Sequence, residues 1–213
     1  INVEYGDHMA FTQLYSDEQN SEQISNKKQN EVFQSKYMVL VPIEYIQDTF
    51  NHTDLKNYFN HYDDAFDQLI QAIDANDEDL LTNVEPLILY GLLHKRYLST
   101  DQGLQKLQKL VINKVYGTCL MQGCADCPLA PIGISDKPGV APFATYCCKC
   151  NNIYSFIGEN EVDGSFFGVD CAHLLYLKYQ NLEEKFKNLS GDEEMQCGSK
   201  CFGFDIDWSK VKK

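Results

Sequence analysis

A chain of 213 residues, 44 % hydrophobic and 23 % charged, is long enough to bury one large or two small cores. It holds no apolar run of the roughly 18 residues that suggest a membrane span. Its net charge of −13 excludes nonspecific nucleic-acid binding, because phosphate contacts need clustered Lys and Arg and only 18 are spread along it. The first residues, INVEYGDHMAF, lack a basic region followed by an apolar one, so the expectation is a soluble, intracellular protein that meets basic rather than acidic partners.

Residues 1–36 form a polar arm with almost no apolar periodicity, and Ser16 to Asn30 reads as a solvated loop. A helical domain is expected over 37–113. VPIEYIQDTFN sets Pro42 in a first helical turn, with Ile43, Ile46 and Phe50 at helical spacing. Leu55, Phe59, Tyr62, Phe66, Leu69, Ile70 and Ile73 continue a helical core face until an acidic loop, Asp74 to Asp79, interrupts it. EPLILYGLLHKRYL is apolar nearly all round and reads as a central buried helix. Thr100 or Asp101 would cap the next helix, which carries Leu104, Leu107, Leu110 and Val111. About five helices are expected in this half.

After Lys114 the composition turns to Cys, Gly and Pro, and the period falls toward two. Residues 114–180 are expected to form a small β domain. Tyr146, Ile153, Tyr154 and Phe156 suggest strands flanking CCKC, and EVDGSFFG reads as a hairpin turning at Asp163 and Gly164. Asp170 would cap a short helix, CAHLLYLKY, and the tail, 181–213, ends in the alternating segment CFGFDIDW. The fold class is therefore α+β: an N-terminal all-α domain, a small antiparallel β domain, a short helix and a C-terminal tail hairpin.

Nine cysteines is an odd number, and six crowd between Cys119 and Cys150, which suits a metal site better than a disulfide framework. Cys147 and Cys150 form a CxxC pair able to converge on one tetrahedral ion. Spacing alone leaves its partner pair open, favouring Cys124 with Cys127 as in a zinc ribbon over Cys119 with Cys124. Either set is closed, which makes the metal structural.

The segments CLMQGCADCPLAPIGISDKPG, YCCKC, DGSFFG and HLLYL, with YIQDTFN and LYGLLHKRYLSTDQGL upstream, resemble in order and separation the regulatory beta subunit of the protein kinase casein kinase II. The resemblance runs from about Tyr37 to Trp208. It implies a Cx4C pair and a later CxxC pair as ligands, hence Cys119, Cys124, Cys147 and Cys150 around one structural Zn2+ per chain. Cys127 then becomes an extra thiol beside Pro128, and Cys148 stands where the family usually has proline.

The same resemblance implies a regulatory subunit without catalytic activity. Two copies would pair through their zinc-binding regions, and two catalytic kinase subunits would dock on them in a heterotetramer found in cytoplasm and nucleus. Ile134 and Ile153 are the candidates for the dimer interface. Phe202 and Phe204 are the candidate anchors for the catalytic subunit, with Leu174 and Tyr176 as secondary contacts. The loop residues Asp74, Asp77, Glu78 and Asp79 resemble an acidic loop that meets polyamines or basic protein substrates. Ser190, in LSGDEEM, has an acid three residues on and is a candidate phosphosite for an acidophilic kinase.

No GxGxxG with a catalytic loop, no Walker motif and no HExxH is present, so an enzyme is not expected. His94 and His173 lie in apolar helical contexts and read as packed side chains. The rival reading is a zinc-ribbon module for nucleic acid or transcription factors. It is disfavoured by the acidic balance and by the presence of only Lys137 and Lys149 between the cysteine pairs. Neither direct nucleic-acid contact nor membrane contact is expected.

Overall fold

Pro42 ends the incoming extended segment and leads directly into α1, Ile43–Gln47, in a computed structural model. That model describes residues 35–77, 80–81, 83–156 and 162–188, and the backbone of 200–201 and 204–205. The periodicity that continued a helical face through Phe50 and Leu55 is overridden here. Two 3-10 turns, Thr49–His52 and Leu55–Tyr58, come first, and α2 runs only from Tyr62 to Ala75.

Short polar side chains competing for the backbone explain the break. The Asp48 carboxylate accepts from the Phe50 N–H at 3.0 Å, the Thr53 hydroxyl donates to the Phe50 carbonyl at 2.8 Å, and Asp54 adopts a left-handed φ of 64°. Phe50, expected on the core face, is 80 % exposed as a result. His52 is buried in its stead: its Nε2–H donates to the Ile46 carbonyl at 2.5 Å, and its Nδ1 accepts from the Tyr62 hydroxyl. Helix α2 buries Ala65, Leu69, Ala72 and Ile73 and ends at Asn76, whose left-handed backbone lets its N–H close on Ala72 and Ile73.

Helix α3, Glu85–Leu98, is apolar nearly all round and is buried accordingly at Leu89, Tyr90, Leu92, Leu93, His94, Tyr97 and Leu98. The chain divides into two compact units between Tyr90 and Gly91, inside this helix and not at the composition change near Lys114. Helix α4, Asp101–Ile112, is capped by Thr100, whose hydroxyl accepts from the Gly103 N–H at 3.1 Å, and it buries Leu104, Leu107 and Val111. With α1 to α4, four α-helices are described where about five were expected.

The second unit continues into a three-stranded antiparallel meander: β1, Ala130–Ile132, then β2, Ala144–Cys147, then β3, Asn152–Ser155. Ala130 pairs with Tyr146, and Tyr146 with Ile153. Strands this short cannot hold a sheet by themselves, and their support is aromatic. Phe143 lies 4.9 Å from Phe167 and 4.4 Å from Phe156 between ring centroids, with Tyr116 edge-on to both Phe143 and Phe167. His94 is fully buried beside them, edge-on to Phe167, and its Nδ1–H donates to the Phe166 carbonyl at 2.7 Å.

The expected hairpin at Asp163 and Gly164 is not formed. Gly164–Phe166 is a 3-10 turn capped by the Asp163 carboxylate, and Asp163 pairs with Pro142 in an isolated bridge. A close backbone crossing explains the glycines: a Cβ on Gly133 would lie 2.4 Å from the Gly164 carbonyl oxygen and 3.0 Å from the Gly168 carbonyl carbon. Helix α5, Cys171–Lys178, starts after Asp170 as expected, but without a side-chain capping bond. Helix α6, Gln180–Lys187, was not anticipated. Its signal is Leu182 and Phe186, four apart and both buried. A two-stranded antiparallel hairpin follows in the tail: β4, Lys200–Cys201, and β5, Phe204–Asp205. The helices followed by a small antiparallel sheet make the fold α+β.

Candidate metal centre

Two tight turns present the cysteines. In the first, Thr118 bridges Pro128, the Cys119 N–H donates to the Cys127 carbonyl at 2.8 Å, and the Leu129 N–H donates to the Gly117 carbonyl at 3.1 Å. The chain between these arms reverses through left-handed backbone at Gly123, Ala125 and Asp126. In the second, β2 ends on Cys147, Asn151 turns in the left-handed region at φ 56°, and β3 returns with Asn152 opposite Cys147. The Lys149 and Cys150 N–H groups face the Cys147 sulfur, and the Asn152 N–H faces the Cys150 sulfur.

These turns bring Cys119, Cys124, Cys147 and Cys150 together, with all four sulfurs within 4.8 Å of one another. Cys119 Sγ lies 3.8 Å from Cys150 Sγ, and Cys147 Sγ lies 4.0 Å from Cys124 Sγ. A regular tetrahedron with metal–sulfur bonds of about 2.3 Å has edges of about 3.8 Å. These two sulfur pairs already match that edge, and the cluster is of a size that could hold one ion. Its all-thiol donor set favours a soft or borderline ion such as zinc over calcium or magnesium, which require oxygen. Four protein donors leave no open position for substrate.

Tyr154 completes the surroundings: its Oη is 3.1 Å from Cys150 Sγ and 3.5 Å from Cys119 Sγ. Burial pushes the Cys150 thiol up, but hydrogen bonds from the Tyr154 hydroxyl and the Asn152 N–H outweigh it and hold the group near 6. The Cys124 thiol is pushed up, by burial first and then by its hydrogen bonds with Cys119 and Cys150. A cation in the cluster's midst reverses such upward shifts, since thiolates are the ligating form.

Cys127, the choice that spacing alone favoured, is not part of the cluster. It is fully buried, donates its S–H to the Pro128 carbonyl at 3.6 Å and lies 3.9 Å from Cys148 Sγ. Because its carbonyl faces the Cys119 N–H, the two residues stand opposite each other on the two arms, and only Cys119 directs its sulfur to the cluster.

Ile153, beside Tyr154, is 52 % exposed; Ile134, which follows β1 at the end away from the cluster, is 55 % exposed. Leu120 and Met121 were not singled out from sequence, yet Leu120 is the more exposed at 93 %. Its signal was available: a leucine in a tight loop between two of the cluster's cysteines has no core to enter. Leu174 is half-buried, whereas Tyr176 is packed inside, its ring 6.1 Å from that of Tyr146. His94 is packed as expected, but His173 is exposed. Asp74 and Asp77 are exposed, while Glu78, Asp79, Ser190 and Phe202 lie outside the described residues, and Phe204 is described only as β5 backbone. Among the described residues no helix is long and apolar enough to cross a membrane.

Compared with known proteins, residues 22–205 match the family described as casein kinase II regulatory subunit. Casein kinase II subunit beta-2 of Neurospora crassa is 32 % identical over 153 residues, which is 70 % of this chain and 54 % of that protein. Casein kinase II subunit beta of Dictyostelium discoideum is 33 % identical over 164 residues, 74 % of this chain and 59 % of that protein. The subunit beta of Saccharomyces cerevisiae is 28 % identical over 212 residues, covering 82 % and 75 % respectively. The matches thus span little more than half the length of the first two relatives.

Proposed function

The chain belongs to the casein kinase II regulatory subunit family, and from that premise we propose that it is a non-catalytic scaffold for a kinase of that type. Cys119, Cys124, Cys147 and Cys150 bind one structural Zn2+, the stiffened β region pairs two copies, and two catalytic subunits dock on the pair. The observation that carries this reading is the closed four-sulfur cluster with apolar side chains exposed beside it. Leu120 directly follows one cluster cysteine, and Ile153 directly precedes the tyrosine that touches two of them. A metal crosslink fixes the shape of a unit too small to be rigid alone. A fixed apolar patch of this kind suits an isologous contact with its own copy.

Docking of the catalytic subunit is assigned to Phe202 and Phe204 of the C-terminal tail, since aromatic anchors concentrate binding energy. Leu174 is a secondary contact. The acidic loop, with Asp74 and Asp77 exposed, offers polyamines or basic substrates a weak, salt-sensitive attraction.

The test mixes the zinc-loaded chain with a casein-kinase-II-type catalytic subunit and measures particle mass and affinity. A two-plus-two complex is expected. Leu120→Glu with Ile153→Glu should yield a monomer, and Phe202→Ala with Phe204→Ala should weaken docking by about 2 kcal/mol or more. Absence of any complex with the wild type removes the scaffold reading.

A further inference from the structure

Two cysteines remain beside the cluster without a part in it, and the fold places them against each other. Cys127 and Cys148 are both fully buried, with their sulfurs 3.9 Å apart, although they are 21 positions apart in sequence. Cys127 sits in the same first turn as Cys119 and Cys124, and Cys148 directly follows Cys147 at the end of β2. The pair therefore joins the same two segments as the cluster does, where Cys124 and Cys147 are 23 positions apart. We propose that Cys127 and Cys148 form a dithiol that a peroxide oxidises to a disulfide, a covalent staple running in parallel with the metal clamp.

The geometry suits closure. A disulfide needs the sulfurs at about 2 Å, and from 3.9 Å the rotation of each side chain about its own Cα–Cβ bond is the motion that brings them together. The chemistry balances in two steps. One thiol sulfur attacks an oxygen of hydrogen peroxide, the O–O bond breaks, and a sulfenic acid and one water result. The second sulfur then attacks the sulfenic sulfur, the S–O bond breaks, and its thiol proton leaves with the hydroxide as a second water. Two thiols are oxidised and one peroxide is reduced. The oxidant is about the size of water, which suits a site closed to bulkier disulfides. A dithiol reductant reverses the bond.

The consequence concerns what happens when the metal leaves. In the reduced protein the two cysteine-bearing turns are held together by the β1–β2 pairing and, at their ends, by the cluster. In the oxidised protein the staple still closes the loop between them, which removes much of the freedom the arms would gain on release.

The test treats the zinc-loaded full chain with equimolar hydrogen peroxide, alkylates it under denaturing conditions and maps its peptides by mass spectrometry, with metal content read in parallel. The expected result is a loss of two hydrogens, two fewer alkylated thiols, a crosslinked peptide pair holding Cys127 and Cys148, and retained zinc. Cys127→Ser and Cys148→Ser should each abolish that crosslink. In a chelator titration followed by near-ultraviolet circular dichroism, the oxidised wild type should need about tenfold or more chelator than the reduced form, the typical scale of disulfide stabilisation. A crosslink between other sulfurs, higher oxidation at either cysteine without a crosslink, or zinc release before the crosslink appears would overturn the proposal. So would identical chelator midpoints for the oxidised and reduced forms. Peptide mapping needs no metal, so a chain that binds no zinc would remove the metal reading and leave this crosslink still decided by its own data.

Discussion

Helix α4 and the β1–β3 meander lie in the same compact unit and are held by different physics. Helix α4 runs for twelve residues, is capped at Thr100 and turns Leu104, Leu107 and Val111 into the core. The strands of the meander are three and four residues long, and the last of them, β3, is exposed or half-buried along its whole length. Apolar burial sustains the helix by itself. The meander relies on an aromatic cluster on one side and four converging sulfurs on the other. Perturbations should therefore separate the two regions.

The largest effect is expected from the metal. Structural zinc sites carry on the order of 10 kcal/mol or more of folding free energy at neutral pH. Chelation, or Cys124→Ser, should melt the meander while far-ultraviolet circular dichroism of the helices persists. Simultaneous loss of both signals would show that the two regions do not differ in this way. Next comes Gly133→Ala, whose new methyl meets the Gly164 carbonyl oxygen at 2.4 Å, backbone that cannot swing aside. A loss of about 3 kcal/mol in urea unfolding is expected. A loss under about 1 kcal/mol would mean that this crossing is looser than its geometry.

The third perturbation is pH, acting through His94. Burial lowers its proton affinity to a pKa of about 4, against the partial opposition of the Phe166 carbonyl. A histidine depressed in the folded state contributes stability that is complete above its unfolded pKa of about 6.5 and is lost as pH falls from there through about 4. The cost is at most about 3 kcal/mol. Denaturant midpoints of the wild type should fall over that window, and those of His94→Gln should fall less. Parallel curves for the two proteins would assign the acid sensitivity elsewhere. The smallest effect is reserved for the helix alone: Thr100→Ala removes the cap to Gly103 and should cost about 1 kcal/mol. It should leave metal affinity unchanged in a competition assay.

The same contrast explains what could be read from the sequence. Helices α3 and α4 were legible because an unbroken apolar pattern and a capping threonine are local signals. The stretch from Phe50 to His61 was misread as continuous helix because its pattern was apolar at the right spacing. The Asp48 and Thr53 side chains that break it act through hydrogen bonds, and Asp54 through a left-handed backbone, none of which periodicity records. At the candidate site, the CxxC of Cys147 and Cys150 was readable as a pair. The choice between Cys119 and Cys127 was not readable from spacing, because it turns on which arm residue directs its sulfur inward, a property of the Thr118–Pro128 bridge. Helix α6 was missed for lack of length, since two buried residues four apart are a thin signal.

The order in which the cysteines occur along the chain also bears on how the meander is assembled. Cys147 and Cys150 share one short turn, so that half of the cluster is available as soon as the local chain relaxes, on the timescale of loop closure. Its other half arrives only when a segment 23 positions away swings in. If an ion is held by one half before the other arrives, the meander's folding becomes a second-order event, and its rate rises with free metal until capture is no longer limiting. The helices would fold on a schedule set by the chain alone, and a nascent molecule made in metal scarcity would wait with its helical part finished and its meander still unformed.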